Sequence, residues 1–451
     1  MEVIALFLVT VLAEDRILRV GEGVTDITPP PGTELAGFHK PPGQERRSTG
    51  VRQPASARAL FLSARGGDFA IVSLDVCGVS REFCRGVKEE IARRSSIPPD
   101  NVRIAASHTH SMPTLRYFRQ WGRLPEDYAR TVAGRIVEAV DLARKDLAPA
   151  ELRIGKERVS GGNFNRTSKR SWKTDDLFTR ESTDDERWLD TTLHALHFVR
   201  KDGHRSLVWY QFSAHPVCYT DGSAGPDWPG LVAEMVRKEQ GLSPSFLQGH
   251  CGDVNPGTGD PYLGNPERVA EAVATALRKA IEKARPVRVD GIRKGSVEFQ
   301  APLDLEKHRG QLERYRKAPE TCTGGEWVDA GFAREWFEVA SKWDLERSTH
   351  GTPISALGLG DVGLLFHPGE LYSYYGLAIR HASPFADTLV VGYADDLIGY
   401  VPDPKAYEAG EYAAIVVPKI MDLPPFRSDV GRKLTATALE LLSRVRASAL
   451  D

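Results

Sequence analysis

The sequence predicts an α/β fold: a mixed β-sheet core flanked by helices, with the active site at the carboxyl ends of strands. Short apolar segments with strand character alternate with longer segments whose apolar residues recur at helical spacing. Several of the apolar segments end directly in histidine, glutamate, tyrosine or a glycine-rich turn. Because open α/β sheets bind ligands beyond the carboxyl ends of their strands, this recurrence predicts one site assembled from several strand ends.

The elements of the first half follow one another as strand, helix, strand and helix. Two strands over residues 58–65 and 69–76, joined by two glycines, predict a hairpin. A serine at the start of residues 80–95 is placed to cap a helix, and the buried strand 102–106 follows. Residues 125–146 carry apolar positions at helical spacing, so the order of elements favours an α/β core.

The second half continues in the same way and contains one segment of different character. Strands are predicted over residues 191–199, 206–213, 357–366 and 388–393, and helices over residues 231–240, 266–285 and 428–446. Residues 302–350 are charged and aromatic, with helical spacing over 305–317 and 333–343. We interpret this segment as a helical insertion, either a lid over a cleft or a solvated helical hairpin.

The composition argues against several classes of function. Hydrophobic residues make up 41% and charged residues 27% of the 451 positions, as in ordinary globular proteins. The net charge of −2 gives no electrostatic basis for binding nucleic acid or an anionic membrane, so we expect neither partner. The five cysteines show no CxxC pair, which leaves room for one disulfide but predicts no disulfide framework.

The first residues have the character of an export signal. Residues 3–13 are apolar and match a signal h-region in length, with small residues placed for cleavage before Glu14. No lysine or arginine precedes this run, and an N-terminal strand is the alternative. We predict a signal peptide at residues 1–13 and a single domain at residues 14–451, secreted or periplasmic, with the cytoplasm as the alternative. No other segment is apolar over a length that would span a membrane.

The strand over residues 102–106 ends in Ser107-His108-Thr109-His110-Ser111. Side chains alternate between the faces of a strand, so we expect His108 and His110 to point the same way. Two neutral imidazoles can bind a metal together, or one can bind it while the other transfers protons. The pair alone does not establish a site, because histidines two apart also occur by chance.

Four further strand ends carry residues of the same chemical types. They are His215 before Pro216, the glycine-rich turn Gln248–Gly257, the run His367–Glu370, and the segment from Gly392 to Tyr400. Each alone has a structural alternative, such as a packed histidine or an ordinary turn. Together, two histidines, a glutamate and a tyrosine at strand ends predict a mononuclear zinc site.

Taken in order, these motifs resemble the neutral/alkaline, non-lysosomal ceramidase family. The resemblance rests on Ser107–Ser111, Ala214–Pro216, Gly252–Pro256, Pro368–Glu370, Gly392–Ala394 and Gly399–Val401, and on the opening Gly23–Pro29. It covers most of residues 20–420. It implies a secreted zinc-dependent amidohydrolase of lipid and sphingolipid metabolism, which cleaves the linear amide of a ceramide-like N-acyl substrate by attack of zinc-bound water.

The resemblance also implies roles for single residues. The zinc ligands would be His108, His215, Glu370 and Tyr400. His110 would transfer a proton, Arg166 would line the pocket, and Tyr412 would hydrogen-bond the substrate. Asn255 stands where the family has a serine, and we interpret its side-chain N–H as a donor to the developing oxyanion.

The departures from the family pattern leave alternatives open. The family usually continues into an immunoglobulin-like domain, and the last predicted helix ends near residue 447, so we expect a divergent member without that domain. Because of Asn255, a zinc hydrolase of the same scaffold acting on a different amide or ester is one alternative. A non-catalytic binding protein on the same fold is the second.

Overall fold

The computed structural model describes residues 17–95, 97–168 and 171–450. Its strands, in chain order, are β1 (Arg19–Asp26), β2 (Gly50–Val51), β3 (Ser56–Ala64), β4 (Gly67–Leu74), β5 (Val102–Ala106), β6 (Ala148–Arg158), β7 (Asn163–Asn165), β8 (Lys173–Thr174), β9 (Trp188–Leu189), β10 (Thr192–Arg200), β11 (Leu207–Phe212), β12 (Ser223–Ala224), β13 (Ser245–Gln248), β14 (Val254–Pro256), β15 (Arg285–Val287), β16 (Ile292–Pro302), β17 (Thr349–Leu359), β18 (Val362–Phe366), β19 (Gly369–Leu371), β20 (Asp387–Val391) and β21 (Gly399–Val401). The predicted signal peptide at residues 1–13 lies outside the described residues.

The α-helices complete the set of elements. They are α1 (Arg81–Ser95), α2 (Glu126–Lys145), α3 (Trp228–Gln240), α4 (Pro266–Glu282), α5 (Leu305–Lys317), α6 (Ala330–Ala340), α7 (Ser373–Ala382), α8 (Pro404–Glu408), α9 (Tyr412–Ile415), α10 (Val417–Ile420) and α11 (Val430–Ala447). None of the described helices combines the length and the apolar character needed to cross a membrane.

Two sheets form the centre of the molecule. The larger has nine strands, in the order β13-β11-β10-β6-β1-β3-β4-β5 with β15 beside β6. The smaller has the order β16-β17-β18-β20. Most neighbours are antiparallel, but β4 and β5, β11 and β13, and β18 and β20 are parallel. Each parallel pair places two strand carboxyl ends side by side, which is the arrangement that a shared site requires.

The two sheets stack face to face, and helices cover their outer faces. Along β3, Leu60 and Leu62 pack in the same apolar core as Leu364 of the smaller sheet, whereas Phe61 points to the helix side. Helices α2 and α4 contact the larger sheet, and α7 and α11 contact the smaller one. The result is a four-layer α/β architecture, which confirms the predicted fold class.

The elements predicted from local patterns are largely confirmed. The predicted hairpin is the antiparallel pair β3 and β4. The predicted capping serine is confirmed too, because the Phe83 N–H donates to Ser80 Oγ at 3.2 Å. Several boundaries differ by about one helical turn: the helix predicted from residue 231 begins at Trp228, the one predicted over 333–343 covers Ala330–Ala340, and the one predicted to residue 285 ends at Glu282. Residues 357–366 are two strands, not one, with a turn at Gly360, whose φ is 62°. All five cysteines are free thiols.

Residues 302–350 connect the ends of β16 and β17 and contain the two predicted helices, α5 and α6. Trp327 and Trp336 pack edge to face with ring centroids 5.3 Å apart, and Lys419 Nζ lies 4.9 Å from the Trp327 ring. The Asp329 carboxylate contacts His39, a residue at the rim of the cavity described below. The aromatic residues therefore pack this insertion against the body of the protein.

Candidate metal centre

The candidate centre lies where the two sheets meet at their carboxyl ends. The Ala106 N–H donates to the Tyr393 carbonyl at 3.0 Å, so β5 of the larger sheet is joined to the chain that follows β20. The Gly392 N–H donates to the Gln248 carbonyl at 3.0 Å, which adds the end of β13. These bonds bring strand ends from both sheets into one place.

His108 reaches the centre by a different route from the one predicted. Strand β5 ends at Ala106, and His108 has a φ of 64°, in the left-handed region that non-glycine residues rarely adopt. The expectation that strand alternation orients His108 and His110 is therefore wrong, although the two Nε2 atoms do lie 3.2 Å apart. The backbone turn, not the strand pleat, aims the His108 ring, which stacks on Tyr393 with centroids 4.2 Å apart.

Each of two buried imidazoles is held by its Nδ1 atom. His108 Nδ1 lies 2.6 Å from the Cys77 carbonyl oxygen, and His215 Nδ1 lies 2.8 Å from the Val254 carbonyl oxygen. A carbonyl only accepts, so both Nδ1 atoms carry a hydrogen, and Nε2 is the atom of each ring that can present a lone pair to a cation. This is the arrangement by which proteins orient histidine ligands of metals.

Glu370 supplies the third donor. Its Oε2 atom lies 3.4 Å from His108 Nε2 and 3.4 Å from His215 Nε2. Ligand atoms of these three side chains lie within 4.8 Å of one another, and all three residues are buried. Among the described residues, His215 Nε2 and Glu370 Oε1 have no hydrogen-bond partner. Buried polar atoms are rarely left unsatisfied in proteins, so their convergence points to a bound cation.

The charges around these donors favour a cation between them. Burial and the positive charge of Arg166 lower the pKa of His215 to about 4, which keeps this imidazole neutral. Burial opposes ionisation of Glu370, but the two imidazoles hold the pKa of its carboxyl below the ordinary value. Burial also opposes protonation of His108, yet the Glu370 carboxylate raises the pKa of that imidazole to about 10. The carboxylate thus attracts positive charge to His108 Nε2, and a cation bound there would displace this proton.

Tyr400 lies beside Glu370 in a short parallel ladder. Strand β19 pairs with β21 so that Glu370 is opposite Tyr400, which places their side chains together. The Arg166 guanidinium donates to Tyr400 Oη at 2.6 Å. Burial opposes the charge of Arg166, but Tyr400 and Glu370 raise the pKa of this guanidinium above its ordinary value. The predicted ligand Tyr400 and the predicted pocket residue Arg166 are thus direct neighbours.

His110 is close to the centre but does not belong to its three-donor group. Burial, the positive charges that His108 and His215 can carry, and the Arg46 guanidinium hold the pKa of His110 well below its ordinary value. The ring packs edge to face on Phe38 at 5.1 Å and lines the cavity. A neutral imidazole at this position can accept or deliver a proton.

Asn255 is held by two hydrogen bonds. Its Oδ1 atom accepts from Arg166 at 3.2 Å, and its Nδ2 atom donates to the Tyr262 carbonyl at 3.0 Å. Strand β14, which contains Asn255, pairs with β7 immediately before Arg166. This pairing explains why two motifs far apart in the chain meet in one hydrogen bond.

A cavity of about 510 Å³ opens onto the centre. Its aromatic lining consists of Phe38, Trp121, Tyr262, Tyr372, Tyr400 and Tyr412. Tyr412 Oη accepts a hydrogen bond from the Trp121 indole at 2.9 Å, so the predicted substrate-binding residue has a fixed position in the wall. None of the described residues in the wall belongs to the 302–350 insertion.

The donor set fits zinc. Two imidazole nitrogens and a carboxylate are a common protein ligand set for catalytic zinc, and the phenol of Tyr400 is a further oxygen donor beside them. Both imidazoles present Nε2 to the carboxylate, at 3.4 Å from Glu370 Oε2. His108, His215, Glu370 and Tyr400 are therefore the residues that would hold the ion.

Two neighbours of the centre were missed from the sequence. Tyr393 stacks on His108, and its Oη atom lies 3.4 Å from Glu370 Oε2 and 3.1 Å from Cys251 Sγ. It lies within the Gly392–Ala394 motif, but no pattern assigned it a contact. Cys77 holds His108 through its carbonyl, an interaction that no side-chain pattern can reveal.

Two other strand-end histidines do not join the centre. His250 Nε2 lies 2.9 Å from Asp190 Oδ2, and the Arg380 guanidinium donates to Asp190 Oδ1 at 2.6 Å. His367 is completely buried and close enough to His250 for the two to affect one another electrostatically. We call Asp190, His250, His367 and Arg380 the charge-paired cluster.

Comparison with known proteins adds an independent finding. Residues 18–262 match the family described as neutral/alkaline non-lysosomal ceramidase, N-terminal. A neutral ceramidase of Mycobacterium tuberculosis is 25% identical over 486 residues, which cover 88% of this chain and 73% of that protein. A neutral ceramidase of Pseudomonas aeruginosa is 24% identical over 268 residues, covering 54% of this chain and 38% of that one.

The fold has a counterpart among solved structures. The crystal structure of neutral ceramidase from Pseudomonas aeruginosa superposes with a TM-score of 0.72 at 18% sequence identity. The superposition covers 96% of this chain and 75% of that chain. The likeness shows that the four-layer architecture is shared.

Proposed function

This chain belongs to the neutral/alkaline non-lysosomal ceramidase family, and from that premise we propose that it is a zinc-dependent hydrolase. It would cleave the linear amide bond of a ceramide-like N-acyl substrate. The observation that carries the proposal is the convergence of donor atoms of His108, His215 and Glu370 within 4.8 Å, beside a cavity that His108 and Tyr400 line. The sequence signal at residues 1–13 adds the proposal that the enzyme works outside the cytoplasm.

Zinc bound by these residues and Tyr400 would polarise the amide carbonyl and make water a nucleophile near neutral pH. The protein contributes the geometry. The Cys77 and Val254 carbonyls fix the two imidazoles, and Arg166 donates to Tyr400 Oη at 2.6 Å. Burial raises the pKa of the Tyr400 phenol well above its ordinary value, and Arg166 offsets only part of that rise. The phenolate that binds a cation would therefore depend on the charge of the ion itself, with Arg166 in support.

Arg166 and Tyr412 would stabilise the negative charge that develops on the amide oxygen. Both side chains line the cavity, and Arg166 is anchored to the Gly252 carbonyl at 2.9 Å and to Asn255 at 3.2 Å. Donors fixed in advance stabilise a transition state without reorganising, and removing one such donor typically costs about 10²–10³ in kcat. Tyr412 Oη accepts from Trp121, which leaves its own hydrogen free to donate.

Asn255 would act on the oxyanion chiefly through Arg166. Its Oδ1 atom anchors the guanidinium, while its Nδ2 hydrogen is directed to the Tyr262 carbonyl. Donation from Asn255 itself, as the family comparison of this position suggested, requires release of Tyr262. This arrangement makes the guanidinium the principal donor at this side of the cavity.

His110 would move the proton that the leaving amine needs. Its Nε2 atom lies 3.2 Å from His108 Nε2, beside the donor group and open to the cavity. Protonation of the departing nitrogen is required because an amide anion is a very poor leaving group. His110 is neutral before the reaction, so it can take a proton from the attacking water and pass it to nitrogen.

The second candidate is the same hydrolase acting on a smaller and more polar N-acyl amine. The observation that favours it is the cavity wall, in which aromatic rings are interspersed with the polar groups of His39, Thr167 and Glu411. A volume of about 510 Å³ is in the middle of the range of small-molecule sites. Rings with polar partners between them suit a compact polar ligand as well as one end of a lipid.

The test combines metal analysis with a substrate panel. Purified wild-type protein and the variants His108→Ala and His110→Ala are assayed for zinc content and for hydrolysis of long-chain ceramide, short-chain ceramide and N-acetylated amino sugars. We expect one zinc per chain in wild type, loss of zinc and activity in His108→Ala, and retained zinc without turnover in His110→Ala. His204→Ala, at a partly exposed histidine remote from the centre, is the matched control.

The outcomes separate the candidates. Hydrolysis of long-chain ceramide supports the first candidate, and hydrolysis confined to small polar amides supports the second. Zinc at one per chain without hydrolysis of any substrate would favour the non-catalytic binding protein. Full activity in metal-stripped enzyme would reject a zinc-dependent mechanism altogether.

A further inference from the structure

A second group of metal-ligating side chains adjoins the candidate centre. One ligand atom each of Cys77, His108 and His110 lies within 4.8 Å of the others. Cys77 is fully buried, and neither it nor His110 belongs to the group formed by His108, His215 and Glu370. In the mechanism proposed above, the Cys77 carbonyl holds His108, but the Cys77 thiol has no role.

The chemistry of this second group suits a thiophilic cation. A thiolate with two imidazoles is a donor set for Zn²⁺ or Cd²⁺, whereas Mg²⁺ and Ca²⁺ prefer oxygen. The Nε2 atoms of His108 and His110 are 3.2 Å apart. Two ligands on a tetrahedral zinc ion with bonds of about 2.0–2.1 Å are separated by about 3.3 Å, so this spacing needs little adjustment.

The His110 ring is fixed in position, but no hydrogen bond from a described residue fixes its tautomer. His110 Nδ1 is buried and has no hydrogen-bond partner among the described residues. The ring cannot shift easily, because a Cβ atom placed on Gly37 would lie 2.3 Å from it. Nδ1 can therefore carry the ring hydrogen and leave the Nε2 lone pair, on the side of His108, for a cation. A cation has access because His108 and His110 line the cavity.

The two donor groups compete for His108. Its Nδ1 atom is bonded to the Cys77 carbonyl, so only the Nε2 lone pair is available, and this atom faces Glu370 at 3.4 Å. One lone pair binds one cation. An ion held by Cys77, His108 and His110 therefore removes a ligand from the centre and also occupies the proton-transfer residue.

We propose that Cys77, His108 and His110 form an inhibitory site for a second thiophilic divalent cation, Cd²⁺ or zinc in excess. The proposal rests on the proposed function, since inhibition presupposes the zinc hydrolase. The site is the weaker of the two because it offers three donors and adjoins the Arg46 guanidinium, which donates to the His110 carbonyl. The enzyme is active with one cation per chain and loses activity as a second binds.

The experiment titrates zinc-loaded full-length protein with Cd²⁺ and follows two signals. Ultraviolet charge-transfer absorption reports a bond between cadmium and a thiolate, independently of activity, and hydrolysis is measured in the same samples. Wild type should gain the absorption band and lose activity at least tenfold. Cys77→Ser should lack the band and need at least tenfold more Cd²⁺ for the same fractional inhibition. Cys84→Ser, at a buried thiol outside both groups, should behave as wild type.

Several results would overturn the proposal. They are the absence of a thiolate band in wild type, a band that persists in Cys77→Ser, and two bound cations per chain with undiminished hydrolysis. If Cys77→Ser does not fold, ¹¹³Cd NMR of wild type still decides, because a sulfur ligand gives cadmium a distinctive chemical shift. Failure of the proposed function would look different: no hydrolysis at any cation concentration, with the cadmium–thiolate signal still present.

Discussion

The candidate metal centre and the charge-paired cluster are both built from buried histidines and a carboxylate at strand ends, but they balance charge differently. In the charge-paired cluster, Asp190 lies between His250 at 2.9 Å and Arg380 at 2.6 Å. The fixed guanidinium compensates the carboxylate. At the metal centre, Glu370 faces two imidazole nitrogens at 3.4 Å, and no arginine or lysine among the described residues forms an ion pair with it.

This difference separates a structural cluster from a ligand site. A buried carboxylate needs a positive partner, since its isolated burial costs several kcal/mol or more. Arg380 meets that need for Asp190. For Glu370 we propose that a cation bound also by His108 and His215 meets that need, in place of the proton that the raised pKa of His108 would otherwise hold there. The presence or absence of a fixed guanidinium therefore distinguishes two clusters that are alike in composition.

The largest effect should come from breaking the metal centre at Glu370. Glu370→Gln removes the negative charge but keeps the shape, so we expect zinc content to fall well below one per chain. Loss of the ion should lower kcat/KM by on the order of 10³ or more, because several kcal/mol of transition-state stabilisation depend on it. Metal analysis and kinetics on the same preparation check this. A fully zinc-loaded Glu370→Gln variant would show that the carboxylate is not a ligand.

The matched change in the charge-paired cluster should affect stability instead of metal binding. Asp190→Asn leaves the partly buried Arg380 guanidinium without its main partner. Breaking a fully buried pair typically costs about 3–5 kcal/mol of unfolding free energy, so we expect a loss toward the lower end of that range. The zinc content of the folded fraction should stay at one per chain. Urea denaturation with metal analysis of the native protein tests this. Loss of zinc from Asp190→Asn without loss of stability would show that the charge-paired cluster also supports metal binding, contrary to our interpretation.

These two substitutions also show what sequence patterns reveal and what they do not. Strand-end histidines, the glutamate and the glycine-rich turn were visible because each follows an apolar segment. The partition of those histidines into two clusters was not visible. It depends on Asp190, which precedes β10, and on Arg380 in α7, and neither residue stands near His250 in the chain. Only the packing of α7 on the strands brings them together.

Local sequence patterns predicted correctly those elements whose structure depends on neighbouring residues alone. The β3–β4 hairpin follows from its glycine turn, and helix α1 follows from the cap at Ser80. The stacking of two sheets was not predicted. Apolar side chains on both faces of a strand show that both faces are buried, but they do not show whether a helix or a second sheet covers each face. The same limit explains His108: its φ of 64° is imposed by bonds from distant chain segments.

A smaller effect should come from Tyr393, which contacts the proposed ligand Glu370 without being a ligand itself. Tyr393→Phe removes the hydroxyl that lies 3.4 Å from Glu370 Oε2 while keeping the ring stacked on His108. Losing such a supporting hydrogen bond typically weakens metal affinity about 10–100-fold. Competition with a chelator of known affinity measures the change. Unaltered affinity would show that the tyrosine contributes only packing.

The smallest effect concerns the pH dependence of the charge-paired cluster. Burial, and then the neighbouring His250, lower the pKa of His367 to about 3. The unfolded chain therefore binds a proton there below pH about 6.5 while the folded protein does not, and stability falls as the pH drops from about 6.5 toward 3. We expect this residue to contribute a slope of up to about 1.4 kcal/mol per pH unit.

The variant His367→Asn isolates that contribution. The difference in unfolding free energy between wild type and variant should shrink on acidification across this window, because only wild type carries the titrating group. Urea denaturation at a series of pH values from 6.5 to about 4.5 measures it. A difference that is constant with pH would mean that the pKa of His367 is the same in the folded and the unfolded protein, contrary to its burial beside His250.

The most direct measurement is an anomalous difference map from crystals of zinc-loaded protein, collected on both sides of the zinc absorption edge. At one equivalent of zinc, the account predicts a single peak within about 2.0–2.2 Å of His108 Nε2, His215 Nε2 and the Glu370 carboxylate, with Tyr400 as its neighbour. A map without a peak between these three side chains, from crystals that contain zinc, would contradict it.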